Sequence, residues 1–421
     1  MTSAEARETP TASGERPPHG LLRRWPLLHS LNFRLFALGQ GLSNTGTWVQ
    51  KVAQDWLALE LSHGDARVLA VTTALQFLPL LLLGPYPGVL VDRYSTLRAL
   101  LATQAAMGVL ALTGALLVLT QRAGVNSLYM LALLFGVAMA VEKPALQAFI
   151  PEAVGPDHLV SALSFNSAVL NLARMVGPAL AGPVIVCFGP GPAFLANAAS
   201  YLAVIACLLR MDTRALRPAP PVPYAQKQVR EGLRYVRGHP DLARTLTLVA
   251  VVAAFGMNFQ ITTTLMATQV YHSPAAIFGI GNAALAAGSV IGALLAANNP
   301  RSGAGTMAFA ALAFGFLETT SSLMPGQLSF LLILVPTGIA LLVFLTIAKA
   351  QLQQNTVDGI RGRVMSLYIL ASLGTTPLLA PAVGWLAHTA GPRTPLAVGG
   401  VVSAAVAAAA LHSHRRQPPV K

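Results

Sequence analysis

Long apolar stretches, separated by short polar segments, make up most of this chain of 421 residues. A helix needs ~20 apolar residues to cross a hydrocarbon layer of ~30 Å, so each long stretch is a candidate membrane-spanning helix. The pattern predicts twelve helices, at 33–60, 68–91, 98–120, 127–150, 159–187, 191–209, 244–270, 275–297, 305–324, 328–354, 363–388 and 395–412. The predicted fold class is therefore an all-α integral membrane protein with twelve transmembrane helices.

A polar stretch at 211–243 divides these helices into two sets of six. The predicted domains are a disordered cytoplasmic tail, a first six-helix bundle, a cytoplasmic linker, a second six-helix bundle and a second cytoplasmic tail, over residues 1–30, 31–210, 211–243, 244–412 and 413–421. The first tail lacks an apolar segment followed by a small-residue cleavage site. We therefore interpret the first helix as an uncleaved signal anchor.

The composition agrees with a membrane protein. Apolar residues make up 54% of the chain and charged residues 10%, and the mean hydropathy is +0.60, whereas a soluble domain carries about 25% charged residues. The net charge of +13 could indicate a nucleic-acid partner. The arginines are not interleaved with aromatic residues in a stacking or groove-reading pattern, however. We expect the lipid bilayer as a partner and no nucleic acid.

The basic residues are distributed unequally between the two sides of the predicted helices. Of the 28 Lys and Arg residues, 21 fall on the side of the termini, three on the opposite side and four within helices. Because cytoplasmic loops are enriched in Lys and Arg, both termini and the linker are predicted to be cytoplasmic. The high content of Ala and Arg with few Lys is typical of a GC-rich bacterial genome, which indicates a bacterial inner (plasma) membrane.

The segment from Gly88 to Arg98, at the end of the second predicted helix, is the most specific motif in the chain. Gly88 permits close helix packing, Asp92 ends the helix, and Arg93 and Arg98 hold the next loop at the cytoplasmic face. The segment resembles the loop signature of the major facilitator superfamily, G-x-L-x-D-R followed by basic residues. The resemblance implies a gating loop that contains these four residues. Residues 95–97 depart from it, because the family usually has Gly or basic residues there.

Five further segments are similar to one branch of that superfamily, which includes macrolide-efflux and enterobactin-exporter proteins. They are residues 46–56, 147–152, 171–182, 255–260 and 361–366. The resemblance extends over 33–412, and it implies a small-molecule substrate and alternating access between two pseudo-symmetric bundles. It indicates the fold and the branch more specifically than the substrate.

Two local patterns bear on this resemblance. Gly177, Pro178 and Gly182 in the fifth helix resemble a glycine–proline signature that the superfamily associates with export. Proline frees backbone groups and glycine permits close approach, so this segment predicts a bend or a tight helix contact. The stretch Thr376–Gly384 in the eleventh helix could bend likewise. The alternative to a role in export is a kink that only shapes packing.

The two halves of the sequence also resemble each other. Gly84 and Gly88 recur as Gly288 and Gly292, an offset of 204 residues. Asp157 recurs as Asp358, an offset of 201. Parallel repeats of this kind are typical of transporters. Glycines spaced four apart are also a common packing motif by themselves.

Sequence patterns of enzymes and metal sites are missing. The chain has no G-x-x-x-x-G-K-[ST], no H-E-x-x-H and no G-x-S-x-G. Cys187 and Cys207 lie in separate apolar stretches, and the nine histidines lie in tails, loops or helix ends, so no disulfide or metal site is predicted. We predict no enzyme, no catalytic residue and no cofactor, and an ion gradient as the energy source of active transport.

Charged residues inside the helices are candidates for function, because an ionisable group in a bilayer is costly unless it is paired or faces a wet cavity. Glu142 is the candidate for proton coupling, since burial disfavours the charged form of a carboxyl group. The alternative is a permanent salt bridge to Lys143, Arg174 or Lys349. Related proteins tend to carry Asp-x-Pro-x-Arg-Gln in this helix. The arginine is missing here, so its role is not carried over.

Polar and aromatic residues near the middle of the helices are candidates for a central substrate cavity. Lys51 and Asp55, spaced i, i+4, could form a structural ion pair or contact the substrate, and Asn258 could make an interhelical hydrogen bond. The cavity candidates are Trp48, Lys51, Asp55, Asn171, Arg174, Asn258, Gln260 and Lys349. The helices hold four bases and three acids, so a cavity selective for organic cations is not favoured.

These patterns predict a monomeric secondary transporter. It would export a small amphipathic molecule, such as a drug, an antibiotic or a siderophore-like compound, in exchange for protons, and it would confer drug resistance. One alternative is an importer or lipid flippase of the same fold. The other is a membrane receptor or scaffold that transports nothing.

Overall fold

Leucine, alanine and valine fill the apolar stretches, and a helix in a membrane satisfies its backbone N–H and C=O groups within one segment. The computed structural model of the chain describes residues 30–83, 95–155, 158–216, 228–273, 275–297 and 303–415. These described residues are almost entirely helical and include no strand. The predicted all-α class is confirmed.

The first six helices lie where the apolar pattern places them. They are α1 (Leu31–Leu61), α2 (Ala66–Leu83), α3 (Thr96–Leu119), α4 (Val125–Val154), α5 (Leu159–Phe188) and α6 (Pro190–Leu209). The predicted end of the second helix falls in 84–94, outside the described residues. Gly189 joins α5 to α6 with a φ of 77°, in the left-handed region that favours glycine.

The second half of the chain contains more helices than the pattern predicts. After a 3₁₀ turn at Thr213–Ala215 come α7 (Gln228–Arg237), α8 (Pro240–Gly256), α9 (Phe259–Leu265), α10 (Ala275–Ala297), α11 (Ala304–Ser322), α12 (Gln327–Gln354), α13 (Asp358–Leu373), α14 (Thr376–Ala390) and α15 (Thr394–Arg415). α7 lies in the predicted linker and is held on α13 by an ion pair of 2.9 Å between Glu231 and Arg363.

The segment predicted at 244–270 corresponds to one candidate membrane span, Pro240–Val270, but its helix is interrupted. Two non-helical residues, Met257 and Asn258, separate α8 from α9. Asn258 turns its side-chain amide back to the carbonyl oxygen of Ala254 at 2.8 Å, so this side chain competes with the backbone ladder where the helix ends. A π-helical turn at Met266–Val270 then follows α9.

The helix predicted at 363–388 is also broken, between Leu373 and Thr376. Pro377 lies in the first turn of α14, where its missing N–H costs no hydrogen bond. The predicted bend corresponds to a two-residue interruption, in which Gly374 and Thr375 keep φ and ψ angles of the helical region.

Ten segments of the described residues are long and apolar enough to cross a membrane. α1 and α11 fall short because polar side chains interrupt them, among them Lys51, Asp55 and Glu318. Large apolar side chains lie on the outside of the helices, such as Leu202 and Phe316, each 67% exposed. The chain is a multi-pass membrane protein, and the count of twelve spans stays a prediction.

The helices pack in two groups. α1–α6, the first group, pack mainly on one another, and so do α8–α15, the second group. The main contacts between the groups join α5 to α10 and α2 to α14. These contacts lie toward the helix ends opposite to Leu31 and Arg415, which we call the outer end.

Glycines permit the contacts at the outer end. Gly279 of α10 lies directly on the backbone of Pro178 and Gly182 in α5, and Gly384 of α14 lies on Ala66 and Ala70 in α2. Small residues allow helix backbones to approach closely in this way. The outer end is therefore closed by backbone contacts that leave no room for a side chain.

The exposure of α5 changes along its length. Most side chains over 161–172 are exposed, whereas Ala173, Gly177, Pro178 and Ala181 are buried. The outer half of α5 thus lies between the two groups, and the other half is uncovered.

Candidate functional site

The charged residues of α1 lie on one helix face. Trp48, Lys51 and Asp55 are spaced three and four residues apart, which places them above one another on a helix. The Lys51 ammonium nitrogen lies 5.0 Å from the ring centroid of Trp48 and 4.5 Å from that of Phe77 in α2. These distances fit cation–π contacts, which leave the ammonium group available for a further anionic partner.

Arg174 of α5 joins the same cluster. Its guanidinium carbon lies 5.6 Å from the ring centroid of Trp48. One turn along, α5 touches α1, since a methyl group on Gly177 would lie 2.5 Å from Cβ of Trp48 and 3.0 Å from the carbonyl oxygen of Thr45. Gly177 therefore sets the short distance between the helices that brings Arg174 onto the tryptophan.

Asp55 is bound by the second group. The amide nitrogen of Gln260, in the first turn of α9, donates to both carboxylate oxygens of Asp55 at 3.0 and 2.8 Å. Asp55 is only 1% exposed. Lys51 and Asp55 both belong to the described residues, and they form no ion pair with each other, although their i, i+4 spacing suggested one. Lys51 instead lies on aromatic rings, within electrostatic range of Asp55, Arg174 and Lys143.

We call Trp48, Lys51, Asp55, Arg174 and Gln260 the central cluster. Four of its members come from the first group and one from the second. The cluster therefore lies at the boundary between groups, where movement of one group against the other would change its contacts.

Two further contacts between the groups lie beyond the cluster, toward the outer end. The amide nitrogen of Gln269 donates to the carbonyl oxygen of Gly64 at 2.5 Å, and Nδ1 of His388 lies 3.7 Å from Oδ1 of Asp65. A hydrogen bond from Arg67 is the main cause that holds the pKa of Asp65 below its ordinary value. The sequence pattern missed these residues, because they lie in loops and helix ends where polar side chains are common.

Glu142 of α4 is buried, at 7% exposure. Its carboxylate lies 3.5 Å from the ammonium nitrogen of its neighbour Lys143, whose side chain is 46% exposed. It also lies within electrostatic range of Tyr201 in α6, whose hydroxyl is 3.0 Å from that of Thr47. The salt bridge that we weighed against proton coupling thus exists, with Lys143 as the partner.

Glu318 of α11 had no assigned role in the sequence. It is 2% exposed, and its Oε2 has no hydrogen-bond partner within the described parts of the chain. A methyl group on Gly256, at the end of α8, would lie 2.8 Å from this oxygen and 2.9 Å from Oγ of Ser403. A buried carboxyl group therefore faces the break between α8 and α9.

Other predicted site residues lie apart from the cluster. Asn171 is exposed and donates to the carbonyl oxygen of Ser167 in its own helix. Asn258 bonds within its own helix segment and not between helices, and Lys349 is exposed on α12. The structure does not bring these three into the central cluster.

The structure describes little of the loop motif at Gly88–Arg98 and all of the glycine–proline signature in α5. Arg98 is exposed in the first turn of α3, and Gly88, Asp92 and Arg93 lie outside the described residues. α5 runs without a break through Gly177, Pro178 and Gly182. Of the two outcomes that this signature predicted, the structure has the tight helix contact.

A groove of about 840 Å³ runs between α3 and α4, away from this cluster. Its lining is apolar except for Arg98 and Thr103, and it includes exposed side chains such as Val109 and Val137. Both helices are long and apolar enough to span a membrane, so this groove faces the lipid side of the first group.

A family model described as a transmembrane secretion effector matches residues 24–420. The chain belongs to the major facilitator superfamily. The predicted family is thereby confirmed, and membership of a family of membrane transporters agrees with the prediction that the chain is not an enzyme.

Relatives of this facilitator chain include transporters of different compounds. The staphyloferrin A transporter of Staphylococcus aureus is 27% identical over 254 residues, which cover 59% of this chain and 63% of that protein. The match thus spans less than two thirds of that relative. Macrolide efflux protein A of Streptococcus pyogenes is 22% identical over 352 residues, which cover 80% of this chain and 84% of that protein.

Among solved structures, this chain is similar to a bacterial homologue of the iron transporter ferroportin in an inward-facing state. The TM-score is 0.74 and the identity 15%, with 95% of this chain and 100% of the other covered. A likeness at this identity concerns the fold alone.

Proposed function

We propose that this facilitator exports a small amphipathic molecule by alternating access, in exchange for protons. The observation that carries the proposal is the central cluster, in which charged side chains on α1 and α5 lie next to a contact with α9 of the second group. Facilitator transporters bind substrate near the bilayer midplane between two repeats, which rock about that site.

In the proposed architecture, α1–α6 form the first six-helix bundle. The second bundle also has six spans, and it contains the eight helices α8–α15 because two of its spans are interrupted. The bundles cover 31–210 and 244–412, and both termini and the linker 211–243 are cytoplasmic in a bacterial plasma membrane. The offsets of the two cross-group contacts support the repeat. Asp55 and Gln260 are 205 residues apart, and so are Gly64 and Gln269. Equivalent positions of two repeats meet near a pseudo-two-fold axis.

Export is favoured over import by the names of the relatives. One is a macrolide efflux protein, and the matching family model describes secretion effectors. The closed outer end fits the step at which an exporter takes up its substrate from the cytoplasm.

Glu142 is the proposed site of proton coupling. It is buried, while its partner Lys143 at 3.5 Å is 46% exposed. Protonation of Glu142 would release this one ion pair and remove a charge that is costly in a membrane.

The test is the intracellular accumulation of antibiotics, dyes and siderophores in an efflux-deficient bacterium. We expect the wild type to lower the accumulation of at least one compound, a protonophore to reverse this, and Glu142→Gln to abolish it. Export that persists in Glu142→Gln would leave the exporter and remove the coupling role. Higher accumulation with the wild type would indicate an importer, and no effect on any compound would favour a flippase, a receptor or a scaffold.

A further inference from the structure

The membrane-embedded helices hold an unequal set of charges. Among the described residues of these helices, the bases within the apolar stretches are Lys51, Lys143, Arg174 and Lys349, and the acids are Asp55, Glu142 and Glu318. Two of the acids have a partner that the structure identifies. Gln260 donates to Asp55, and Lys143 pairs with Glu142.

Arg174 has no acidic partner among the residues that the structure describes. Its guanidinium carbon lies 5.6 Å from the ring centroid of Trp48. A guanidinium group within a membrane is costly unless an anion or a wet cavity accompanies it. A ring contact offsets only part of this cost, because the ring carries no net charge.

Lys51 lies close to the same ring. Its ammonium nitrogen is 5.0 Å from the centroid of Trp48, and it also lies within electrostatic range of Arg174 and Lys143. Both side chains are only partly exposed. Two cations that repel each other across one tryptophan form a site for negative charge, with an apolar surface beside it.

We propose that Trp48, Lys51 and Arg174 bind the anionic group of the substrate, so that the transported compound is an amphipathic organic anion. The guanidinium group of Arg174 donates to a carboxylate, sulfonate or phosphate group, as its planar fork suits such anions. The apolar body of the compound lies against Trp48 and Phe77. This inference rests on the proposed transport function and names its substrate class.

Asp55 makes the strength of anion binding depend on whether the outer end is open or closed. With the outer end closed, the Gln260 amide holds the Asp55 carboxylate and Lys51 is left for the ligand. Opening the outer end moves Gln260 away with the second group. Asp55 then turns to Lys51, its i, i+4 neighbour, competes with the bound anion and weakens its binding at the outer face.

The test uses purified full-length protein in lipid nanodiscs and three matched probes. They are naphthalene-2-sulfonate (an anion), naphthalene-2-sulfonamide (a neutral compound of the same shape) and naphthalen-2-ylmethyl(trimethyl)ammonium (a cation). Binding is measured by calorimetric titration and by the shift of the thermal unfolding midpoint. We expect the anion to bind at least about tenfold more tightly than the other two, since hydrogen bonds between charged groups are the stronger ones.

Variants locate the site. Arg174→Gln is expected to weaken binding of the sulfonate about tenfold or more and to leave binding of the sulfonamide unchanged, while Arg174→Lys keeps part of the preference. Arg122→Gln, which removes an exposed cation from the loop between α3 and α4, is the matched control and should bind like the wild type. Unfolding midpoints without ligand show whether each variant is folded.

The outcomes separate the two proposals. Equal binding of all three probes by the wild type, or unchanged sulfonate binding by folded Arg174→Gln, would overturn the anion site, and export of other compounds in cells would then still stand. Selective sulfonate binding that depends on Arg174, together with no export of any compound, would uphold the anion site and contradict the transport function.

Discussion

The two groups of helices are built differently at the boundary where they meet. In the first group, α1 runs unbroken over 31 residues and α5 over 30, and these two carry Lys51, Asp55 and Arg174. Two segments of the second group are interrupted, at Met257–Asn258 and at Gly374–Thr375, whereas α10, which contacts α5, is continuous. The first group thus holds the charges of the central cluster on continuous helices, and the second holds interruptions at which a helix can change its direction.

This difference suggests a division of roles. Continuous helices fix the distances between charged side chains better than loops do, and breaks in helices are places where backbone angles can change. α9 strengthens the contrast, since Thr262, Thr263 and Thr264 are buried and each hydroxyl donates to a carbonyl oxygen one turn earlier. Such bonds compete with the helix ladder and favour bending. We expect substitutions in the first group to change binding and those in the second to change the movement.

The largest effect is expected from Gly279→Ala, which places a methyl group against the backbone of Pro178 and Gly182 in α5. Overpacking of this kind costs about 1–3 kcal/mol, and here it separates the groups at the outer end. We expect a lower thermal unfolding midpoint and loss of most transport. Gly362→Ala, on a helix surface with open space around it, is the matched control, and it should be neutral or slightly stabilising. Equal behaviour of the two variants would contradict the closed outer end.

A second effect is expected from Gln260→Leu. The substitution leaves the buried Asp55 carboxylate without its donor, which costs about 1.5–3 kcal/mol for a hydrogen bond to a charged group. In a double-mutant cycle with Asp55→Asn, the two changes should therefore not be additive. The measurement is the free energy of unfolding in detergent, with Gln353→Leu on an exposed position of α12 as the control. Additive changes would show that the hydrogen bond contributes nothing.

Glu318→Gln tests the break between α8 and α9 in the second group. The amide keeps the shape of a buried carboxyl group whose Oε2 has no partner in the described residues, and it removes the need to bury a charge. We expect a stabilisation of about 1 kcal/mol, because burying an unpaired charge costs more than burying a neutral amide. Glu60→Gln, at an exposed position near the end of α1, should change stability by less than this. A clear loss of stability in Glu318→Gln would mean that the ionised carboxylate is needed.

The smallest effect concerns pH. The folded protein holds the pKa of Asp65 below its unfolded value of 3.8, so ionised Asp65 stabilises the fold above about pH 4 and this contribution disappears as the pH falls through the lower, folded value. Asp65 lies near the surface, and such pairs contribute about 0.2–1 kcal/mol. Asp65→Asn should therefore unfold at a slightly lower temperature than the wild type at pH 6, and the difference should shrink as the pH falls below about 4. A difference that grows toward low pH would contradict the sign.

The sequence predicts the helices well and the breaks within the spans less well. Apolar stretches of membrane length leave few alternatives to a helix, and Pro377 marks the break before α14. The break at Met257–Asn258 has no proline or other strong signal, because it depends on an asparagine that bonds to its own backbone and on the packing of Gly256 against α11 and α15.

The sequence predicts the charged residues of the candidate site but not the residues that they contact. Lys51, Asp55 and Arg174 stand out in apolar stretches, since charges are rare there. Gln260 is 205 residues from Asp55, and the i, i+4 spacing favoured Lys51 as the partner instead. Tyr201 was missed because a tyrosine in a membrane helix is unremarkable until the packing brings it to Thr47.

The most direct measurement is the uptake of naphthalene-2-sulfonate into everted membrane vesicles with an imposed acid interior. This anion stays charged at every working pH, so a pH difference alone does not concentrate it. We expect rapid accumulation with the wild type, which stops when a protonophore removes the gradient and is absent in Glu142→Gln and Arg174→Gln. Uptake that is independent of the gradient, or equal in vesicles with and without the protein, would contradict proton-driven export through the central cluster.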